Sequence, residues 1–366
     1  MSDLKGFRDT ERVKNLIEKI ENIYPGGELK FMEVCGTHTM AIAKFGLRRL
    51  MPAGLMLLSG PGCPVCVTPA AVIDAAIKIS SEPNTVIVTF GDMMSVPGTD
   101  TNFEHMRAGG ADVRVLYSVY DMLEMAAGEP NNNFVFISVG FETTTPGIAL
   151  SILETRKRGL KNVYFIVANR LVVPALDALM RSGEVHIDGF LCPGHVSVII
   201  GWEAYRPIAE RYNVPCVVAG FEPVDILLAI HDIIARVVDG TGGVGNSYSR
   251  VVTGAGNPEA QRIMNEVFQI VEAEWRAIGV IPESGLELRD EYADLDAFKR
   301  FGIELLQVPD PPGCRCGDVM TGLIFPPQCK LFGKRCTPES PVGPCMVSSE
   351  GSCAAYYKYG EMNERG

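Results

Sequence analysis

Long hydrophobic runs and a basic character are both missing from this sequence. No apolar run reaches the length of about 18 residues that a membrane-spanning helix requires. The 33 lysines and arginines are outnumbered by 44 aspartates and glutamates, a net charge of −11, whereas a nucleic-acid partner usually needs a basic face. The start, 1–5, leads into charged helical sequence without the apolar region of a signal peptide. We therefore expect a cytoplasmic protein with neither a membrane nor a nucleic-acid partner.

Two common cofactor motifs are also missing. The sequence contains no G-x-x-x-x-G-K-[ST] phosphate loop and no C-x₃-C-x₂-C run, which disfavours a radical enzyme of that type. The segment 240–245 matches G-x-G-x-x-G, but it follows a predicted helix where a dinucleotide site needs a strand. We interpret it as a flexible connector.

The cysteines are unevenly distributed. Six of the eleven fall between Cys314 and Cys353, which in a reducing compartment indicates metal-binding or catalytic thiols. No histidine follows His231, so a metal there must be held by thiolates, as in zinc or iron–sulfur sites. The paired C-x-x-C motifs of zinc ribbons are missing from this segment. This pattern favours a [4Fe–4S] cluster with two further thiols beside it.

A C-x-x-C motif at Cys63 and Cys66 lies between a predicted strand, 55–58, and a predicted helix, 70–77. A turn near a helix N-terminus lowers a thiol pKa, because unpaired N–H groups and the helix dipole favour the thiolate. The pair is suited to redox or metal-transfer chemistry. Half of a zinc site, or two buried thiols, is the simpler alternative.

Cys35 has the same predicted environment. It follows the predicted strand 29–34 and precedes a predicted helix that Thr37 or Thr39 could cap. His38 lies three residues further on. This arrangement makes Cys35 a candidate nucleophile or metal ligand, although an isolated cysteine after a strand is more often part of a core.

A unit of short apolar strand, Gly-containing loop and helix recurs to about residue 240, and Gly-Phe-Glu occurs at 140–142 and 220–222. Such alternation predicts parallel sheets whose ligands bind beyond the carboxyl ends of the strands. We expect an α/β protein with two Rossmann-like lobes, 1–128 and 129–240, facing a cleft. A mainly helical and irregular Cys-rich domain, 241–366, completes the prediction. It includes one long helix from Asn257 to about Ile278.

The motifs Glu33–Thr39, Gly60–Cys66 and Gly140–Thr144, together with the Cys-rich tail, resemble the HypD family of hydrogenase maturation proteins over nearly the whole chain. The cluster signature of that family, C-x₁₄-C-x₆-C-x₁₆-C, falls on Cys314, Cys329, Cys336 and Cys353. Cys316 and Cys345 then remain as an extra pair. Ferredoxin–thioredoxin reductases similarly pass electrons from a cluster to a dithiol.

The resemblance implies a role in building the Fe(CN)2CO group of [NiFe] hydrogenases. It implies that iron is held by Cys35 in a complex with the chaperone HypC, and that HypE donates the cyanide. His38 and Thr39 would assist at the iron, and Cys63 with Cys66 would exchange two electrons. The Gly140–Thr144 motif would add Glu142, Thr143 and Thr144 to the same cleft.

Two other functions are compatible with part of the sequence. A ferredoxin-dependent thiol–disulfide oxidoreductase would explain the C-x-x-C pair and the cluster, but not the segment 35–38. A zinc-stabilised binding protein would explain the tail cysteines alone. Iron, sulfide and zinc analysis distinguishes the latter from the other two.

Overall fold

The computed structural model of the protein describes residues 3–360, in which eleven strands form three sheets. The strands are β1 (Leu29–Glu33), β2 (Leu55–Ser59), β3 (Thr85–Thr89), β4 (Val113–Val115), β5 (Asn133–Ser138), β6 (Val163–Val167), β7 (Gly189–Pro193), β8 (Pro215–Ala219), β9 (Gly243–Asn246), β10 (Phe268–Trp275) and β11 (Gly279–Leu288).

Fifteen α-helices connect and cover these strands. They are α1 (Thr10–Ile23), α2 (Gly36–Lys44), α3 (Pro64–Val67), α4 (Ala70–Ser80), α5 (Phe103–Ala108), α6 (Val119–Gly128), α7 (Thr145–Arg158), α8 (Val172–Ser182), α9 (Gly194–Ile200), α10 (Arg206–Tyr212), α11 (Pro223–Val238), α12 (Pro258–Val267), α13 (Ala297–Phe301), α14 (Cys316–Met320) and α15 (Ser352–Tyr359). Between residues 3 and 360, none of these helices combines the length and apolarity needed to cross a bilayer.

Two of the sheets are parallel, which confirms the predicted α/β class with two lobes and a Cys-rich C-terminal region. Sheet A has the strand order β2-β1-β7-β8-β9, and sheet B has the order β4-β3-β5-β6. Strands β3 and β8 are buried along their whole length, as expected for parallel strands covered on both faces. All the loops at the carboxyl ends of one sheet therefore meet at one edge.

The strands are distributed between the sheets differently from the predicted division at residues 128 and 240. Sheet B is formed by β3 to β6, which are inserted between the second and third strands of sheet A. The predicted boundary at 128 thus falls between β4 and β5, two strands of the same sheet. Periodicity identifies a strand from its own residues, but it carries no information about which sheet the strand joins.

The predicted helix 257–278 is wrong in its second half. Helix α12 ends at Val267, and the chain continues directly into an antiparallel hairpin of β10 and β11 with an irregularity between Val271 and Ala273. The apolar residues of this segment fit a helical period, but Trp275 is buried by pairing across a hairpin instead. The predicted connector 240–245 also contains most of β9, the edge strand of sheet A.

The Cys-rich segment that follows α13 has little regular structure and packs against the carboxyl edge of sheet A. Helix α15 lies on α2, and the short 3₁₀ helix Pro344–Met346 lies on α3. The tail therefore covers the loops that follow β1 and β2, the two strands that precede the predicted thiol sites.

Candidate functional site

Cys35 lies where β1 ends and α2 begins, beside the loop that carries Cys63. The two loops touch because β1 and β2 are paired, with Glu33 opposite Ser59. The Gly36 N–H donates to the Gly62 carbonyl at 2.9 Å. A β-carbon at Gly62 would collide with the Cys35 backbone, so only glycine permits this approach. The structure thus brings together the first two sequence motifs.

The electrostatic environment of Cys35 differs from the prediction. Burial raises the pKa of its thiol to about 12, and the nearby carboxylates of Glu350 and Glu33 act in the same direction. Backbone N–H groups at the start of α2 oppose this effect but do not overcome it. A helix N-terminus alone therefore does not make Cys35 acidic.

The prediction that Thr37 or Thr39 caps α2 through its side chain is wrong, because both hydroxyls donate to carboxylates instead. The Thr37 hydroxyl donates to Glu350 Oε1 at 2.8 Å, and the Thr39 hydroxyl donates to Glu33. Glu33 is buried beneath Cys35, and burial raises its pKa to about 7.

His38 is completely buried on the inner side of α2. Its Nε2 is 2.9 Å from the Gly220 carbonyl, so Nε2 carries the proton and Nδ1 is the basic nitrogen. Nδ1 is buried and has no hydrogen-bond partner within residues 3–360. Burial lowers the pKa of His38 to about 4, which keeps the ring neutral at physiological pH.

Cys63 and Cys66 form a disulfide across the start of α3. Both are buried, because the tail covers them. The Cys66 sulfur is 3.8 Å from the carbonyl oxygen of Pro344. Since Cys345 is the next residue and is also buried, the disulfide lies beside a tail thiol.

The Gly140–Thr144 motif follows β5 at the carboxyl edge of sheet B, and its place in the cleft of Cys35 stays a prediction. Glu142 is turned inward, where its Oε1 accepts the Val172 N–H at the start of α8 at 3.0 Å. Its burial raises the carboxyl pKa to about 7. Thr143 and Thr144 are exposed at the carboxyl edge of sheet B. A carboxylate in a strand–helix loop has two uses, capping or ligand contact, and the sequence motif does not distinguish them.

The tail cysteines converge. One cavity is lined by five of them, Cys314, Cys316, Cys329, Cys336 and Cys353. The sulfurs of Cys314 and Cys316 are 3.3 Å apart, and hydrogen bonds from neighbouring thiols lower the pKa of Cys316. Cys345 contacts Cys316 but does not line the cavity. The four thiols of the recognised signature are therefore together, and Cys316 accompanies them.

This donor set fits an iron–sulfur cluster. Five thiols face the cavity, together with Arg315 and apolar residues such as Leu331 and Phe332, and thiols are the ligands that such clusters use. In the described part of the chain, no three His, Cys, Asp or Glu side chains are grouped closely enough to bind a single metal ion.

Glu350 and Ser348 are site residues that the sequence did not reveal. Glu350 accepts a hydrogen bond from Thr37 near Cys35, and the Ser348 hydroxyl donates at 3.0 Å to Asp92, in the loop after β3 of sheet B. These two tail residues thus connect the carboxyl edges of both sheets. Their spacing resembles that of any polar loop, and only their position in the folded chain identifies them.

Comparisons with known proteins agree with this arrangement. A family model, HypD, described as "Hydrogenase formation hypA family", matches residues 11–360. The hydrogenase maturation factor HypD of Rhizobium leguminosarum bv. viciae is 42% identical over 100% of this chain and 97% of its own length. That of Escherichia coli K12 is 42% identical over 96% of each chain, and that of Cupriavidus necator is 40% identical over 100% and 98%. The convergence of the three thiol motifs and this similarity along the whole chain identify a member of the HypD family of hydrogenase maturation factors.

Proposed function

We propose that the protein assembles the Fe(CN)2CO group of [NiFe] hydrogenases, with Cys35 as a thiolate ligand of the iron substrate. The observation that carries this proposal is the contact of three motifs: the Cys35 loop, the disulfide loop and the Cys-rich tail. Iron with strong-field diatomic ligands is suited to soft sulfur donors. Because the pKa of Cys35 is raised, iron binding must displace its proton, and acid should weaken the complex.

The partners in this proposal are HypC, which would hold the iron from the other side, and HypE, which would donate cyanide. Cys35 is half-buried, so a partner that shares its iron must approach over the carboxyl edge of sheet A. The back of that sheet is covered by helices such as α1 and α11, and it offers no access to the thiol.

The redox part of the proposal concerns the disulfide and the tail. Cys314, Cys329, Cys336 and Cys353 would hold a [4Fe–4S] cluster, and Cys316 with Cys345 would lie between this cavity and the Cys63–Cys66 disulfide. A bound cluster would supply single electrons. The protein's own residues support this use, since Cys345 adjoins both Cys316 and the segment in contact with Cys66.

Burial of the disulfide argues against the oxidoreductase alternative. Cys63 is 5% exposed and Cys66 is 0% exposed, so the disulfide of a separate protein cannot reach them without displacing the tail. A pair with this location is better suited to electron exchange within the molecule.

Infrared spectroscopy of the complex tests the proposed function. The protein should be co-produced with HypC and HypE and purified without oxygen. Iron-bound CO and cyanide absorb in a window free of protein bands, and we expect these bands in the complex. A complex that contains iron but lacks both ligands would contradict the assembly role. Absence of a stable HypC complex would contradict the choice of partner.

A further inference from the structure

The turn of the β10–β11 hairpin lies between the Cys-rich tail and α3, the helix that follows Cys63 and contains Cys66 and is called the disulfide helix below. The Arg276 N–H donates to the carbonyl of Val67, the last residue of α3, at 2.8 Å. On the other side, the Ala277 carbonyl packs against Gly317 so closely that it leaves no room for a β-carbon there. Gly317 directly follows Cys316. Two successive residues of the turn therefore touch both thiol regions.

The side chain of Arg276 extends these contacts. It is 3% exposed, donates from Nη1 to the Pro97 carbonyl at 3.1 Å, and pairs through Nε with Asp310 at 3.3 Å. Pro97 belongs to the loop region after β3 of sheet B, and Asp310 leads into the cysteine segment. A single guanidinium thus joins one sheet to the tail beside α3.

The opposite side of α3 contacts the tail through Cys66 and Pro344. The disulfide helix is consequently held between two supports, the hairpin turn and the segment that contains Cys345. Helix α3 has only four residues and little stability of its own. Its position relative to the tail thiols therefore depends on these supports.

The charge of Arg276 is incompletely balanced. Its Nη2 nitrogen is buried and has no hydrogen-bond partner in residues 3–360, and the carboxylate paired with its Nε, that of Asp310, is 39% exposed. A cation in a poorly solvated place favours thiolate over neutral sulfur, because charges interact more strongly where the effective dielectric constant is low.

We propose that Arg276 is a positioning residue that holds the disulfide helix against the Cys-rich tail, and that its charge raises the reduction potential of the Cys63–Cys66 pair. This inference rests on the redox role proposed for that pair. Neither the hairpin nor Arg276 belongs to the motifs that the sequence singled out.

The equilibrium that measures the potential uses a small dithiol as the reductant. The dithiol breaks the Cys63–Cys66 bond and closes its own disulfide, so two electrons and two hydrogens pass to the protein sulfurs. The equilibrium is measured at a pH of about 8.5, where the small dithiol is reactive and a cation beside the protein sulfurs favours thiolate in the reduced product.

The experiment compares Arg276→Met, Arg276→Lys and Asp310→Asn in the full-length protein. Each is equilibrated with reduced and oxidised dithiothreitol and alkylated, and the peptide with Cys63 and Cys66 is quantified by mass spectrometry. Arg276→Met should lower the equilibrium constant for reduction about tenfold, which is about 30 mV for a two-electron couple. Asp310→Asn should raise the constant, since it removes the balancing anion. Arg276→Lys should remain close to the wild type.

A charge effect shifts the equilibrium constant of Arg276→Met and that of Asp310→Asn in opposite directions. Damage to the fold would shift both constants in the same direction. Arg211→Met, which removes a surface cation paired with Asp177, is the matched control. Shifts of equal sign, or none beyond this control, would overturn the inference. If Arg276→Met does not fold, an unchanged or lowered constant in Asp310→Asn overturns it. A wild-type pair that never exchanges with dithiothreitol would instead contradict the proposed redox role.

Discussion

The carboxyl edges of the two parallel sheets are both formed by loops that join a strand to a helix, but they differ in how they contact the Cys-rich tail. At the edge of sheet A, the loops carry Cys35 and the Cys63–Cys66 disulfide, and the tail lies over them through Glu350 and Pro344. At the edge of sheet B, Thr143 and Thr144 are exposed, and one hydrogen bond joins Asp92 to the tail.

This difference shows that a parallel sheet offers a binding edge without fixing its use. Both edges have strand–glycine–helix loops of the kind that bind ligands. Within residues 3–360, of these two sets of loops only those of sheet A carry cysteines, and the Cys-rich tail contacts both of these thiol loops. We infer that docking of the tail determines which edge works as the site.

The largest effect is expected from Cys35→Ala. Removal of its sulfur eliminates the proposed iron ligand, so the CO and cyanide infrared bands of the HypC complex should disappear. Thr143→Ala, at the equivalent edge of sheet B, should retain them because its side chain is exposed and offers no sulfur ligand. Equal loss of the bands in both variants would mean that the two edges act together.

The next largest effect is expected from substitution of a tail cysteine that lines the cavity. Cys336→Ala should abolish the brown colour of an anaerobically purified protein and destabilise the segment from residue 314 onward, which has little core without a bound group. Cys345→Ala should remain coloured, because Cys345 does not line the cavity. Visible absorption with iron and sulfide analysis measures both. A colourless Cys345→Ala variant would show that the ligand set is wrong.

Much of this site could be predicted from short-range sequence signals. A strand, a glycine-containing turn and a helix are encoded by neighbouring residues, and Cys35, Cys63 and Cys66 were correctly located at such turns. The contacts of Glu350 with Thr37 and of Arg276 with Val67 could not be predicted, because each joins residues more than 200 positions apart. The hairpin was missed because its apolar spacing also fits a helix.

Two predictions about chemistry depend on burial, which sequence patterns do not report. A cysteine at a helix N-terminus was expected to be acidic, and a glutamate in a loop was expected to line a cleft. Burial raises the pKa of both groups. Cys35 lies near two carboxylates in a poorly solvated place, and Glu142 satisfies the start of α8. Sequence patterns report the local backbone and not the surrounding dielectric.

A smaller effect is expected from Glu142→Gln, through the pH dependence of stability. Folding raises the pKa of Glu142 from 4.5 to about 7, so its carboxyl destabilises the fold progressively as pH rises between these values. The penalty is absent below this window and constant above it. At about 1.4 kcal/mol per pKa unit, the difference reaches about 3 kcal/mol. Glutamine does not titrate and removes this dependence.

Urea unfolding of both proteins at about pH 5 and about pH 8 measures the effect. The free energy of unfolding of Glu142→Gln, relative to the wild type, should be greater at the higher pH. Glu272→Gln changes an exposed carboxylate of the hairpin and should give no such trend. If Glu142→Gln also lacks the trend, Glu142 is solvated and available to a ligand at the edge of sheet B.

The smallest effect separates the covered edge from the open one by adding a single methyl group to each. A β-carbon at Gly36 would lie 2.6 Å from the Glu350 carbonyl oxygen and would overlap the Glu350 side chain, so Gly36→Ala must push the tail away from Cys35. We expect a loss of about 1–3 kcal/mol in the free energy of unfolding, the usual result of overpacking. Gly147 occupies an early position in α7, at the edge of sheet B, and has no atom within 4 Å of its β-carbon position. Gly147→Ala should therefore be neutral or stabilise by about 0.5–1 kcal/mol, because alanine favours helix.

Limited proteolysis between residues 302 and 313, the irregular segment before the cysteines, provides a second measurement. Cleavage there should become faster in Gly36→Ala alone, since only that variant loosens the tail. If Gly36→Ala matches Gly147→Ala in stability and in cleavage rate, the tail does not rest on the Cys35 loop, and the contrast between the two edges is lost.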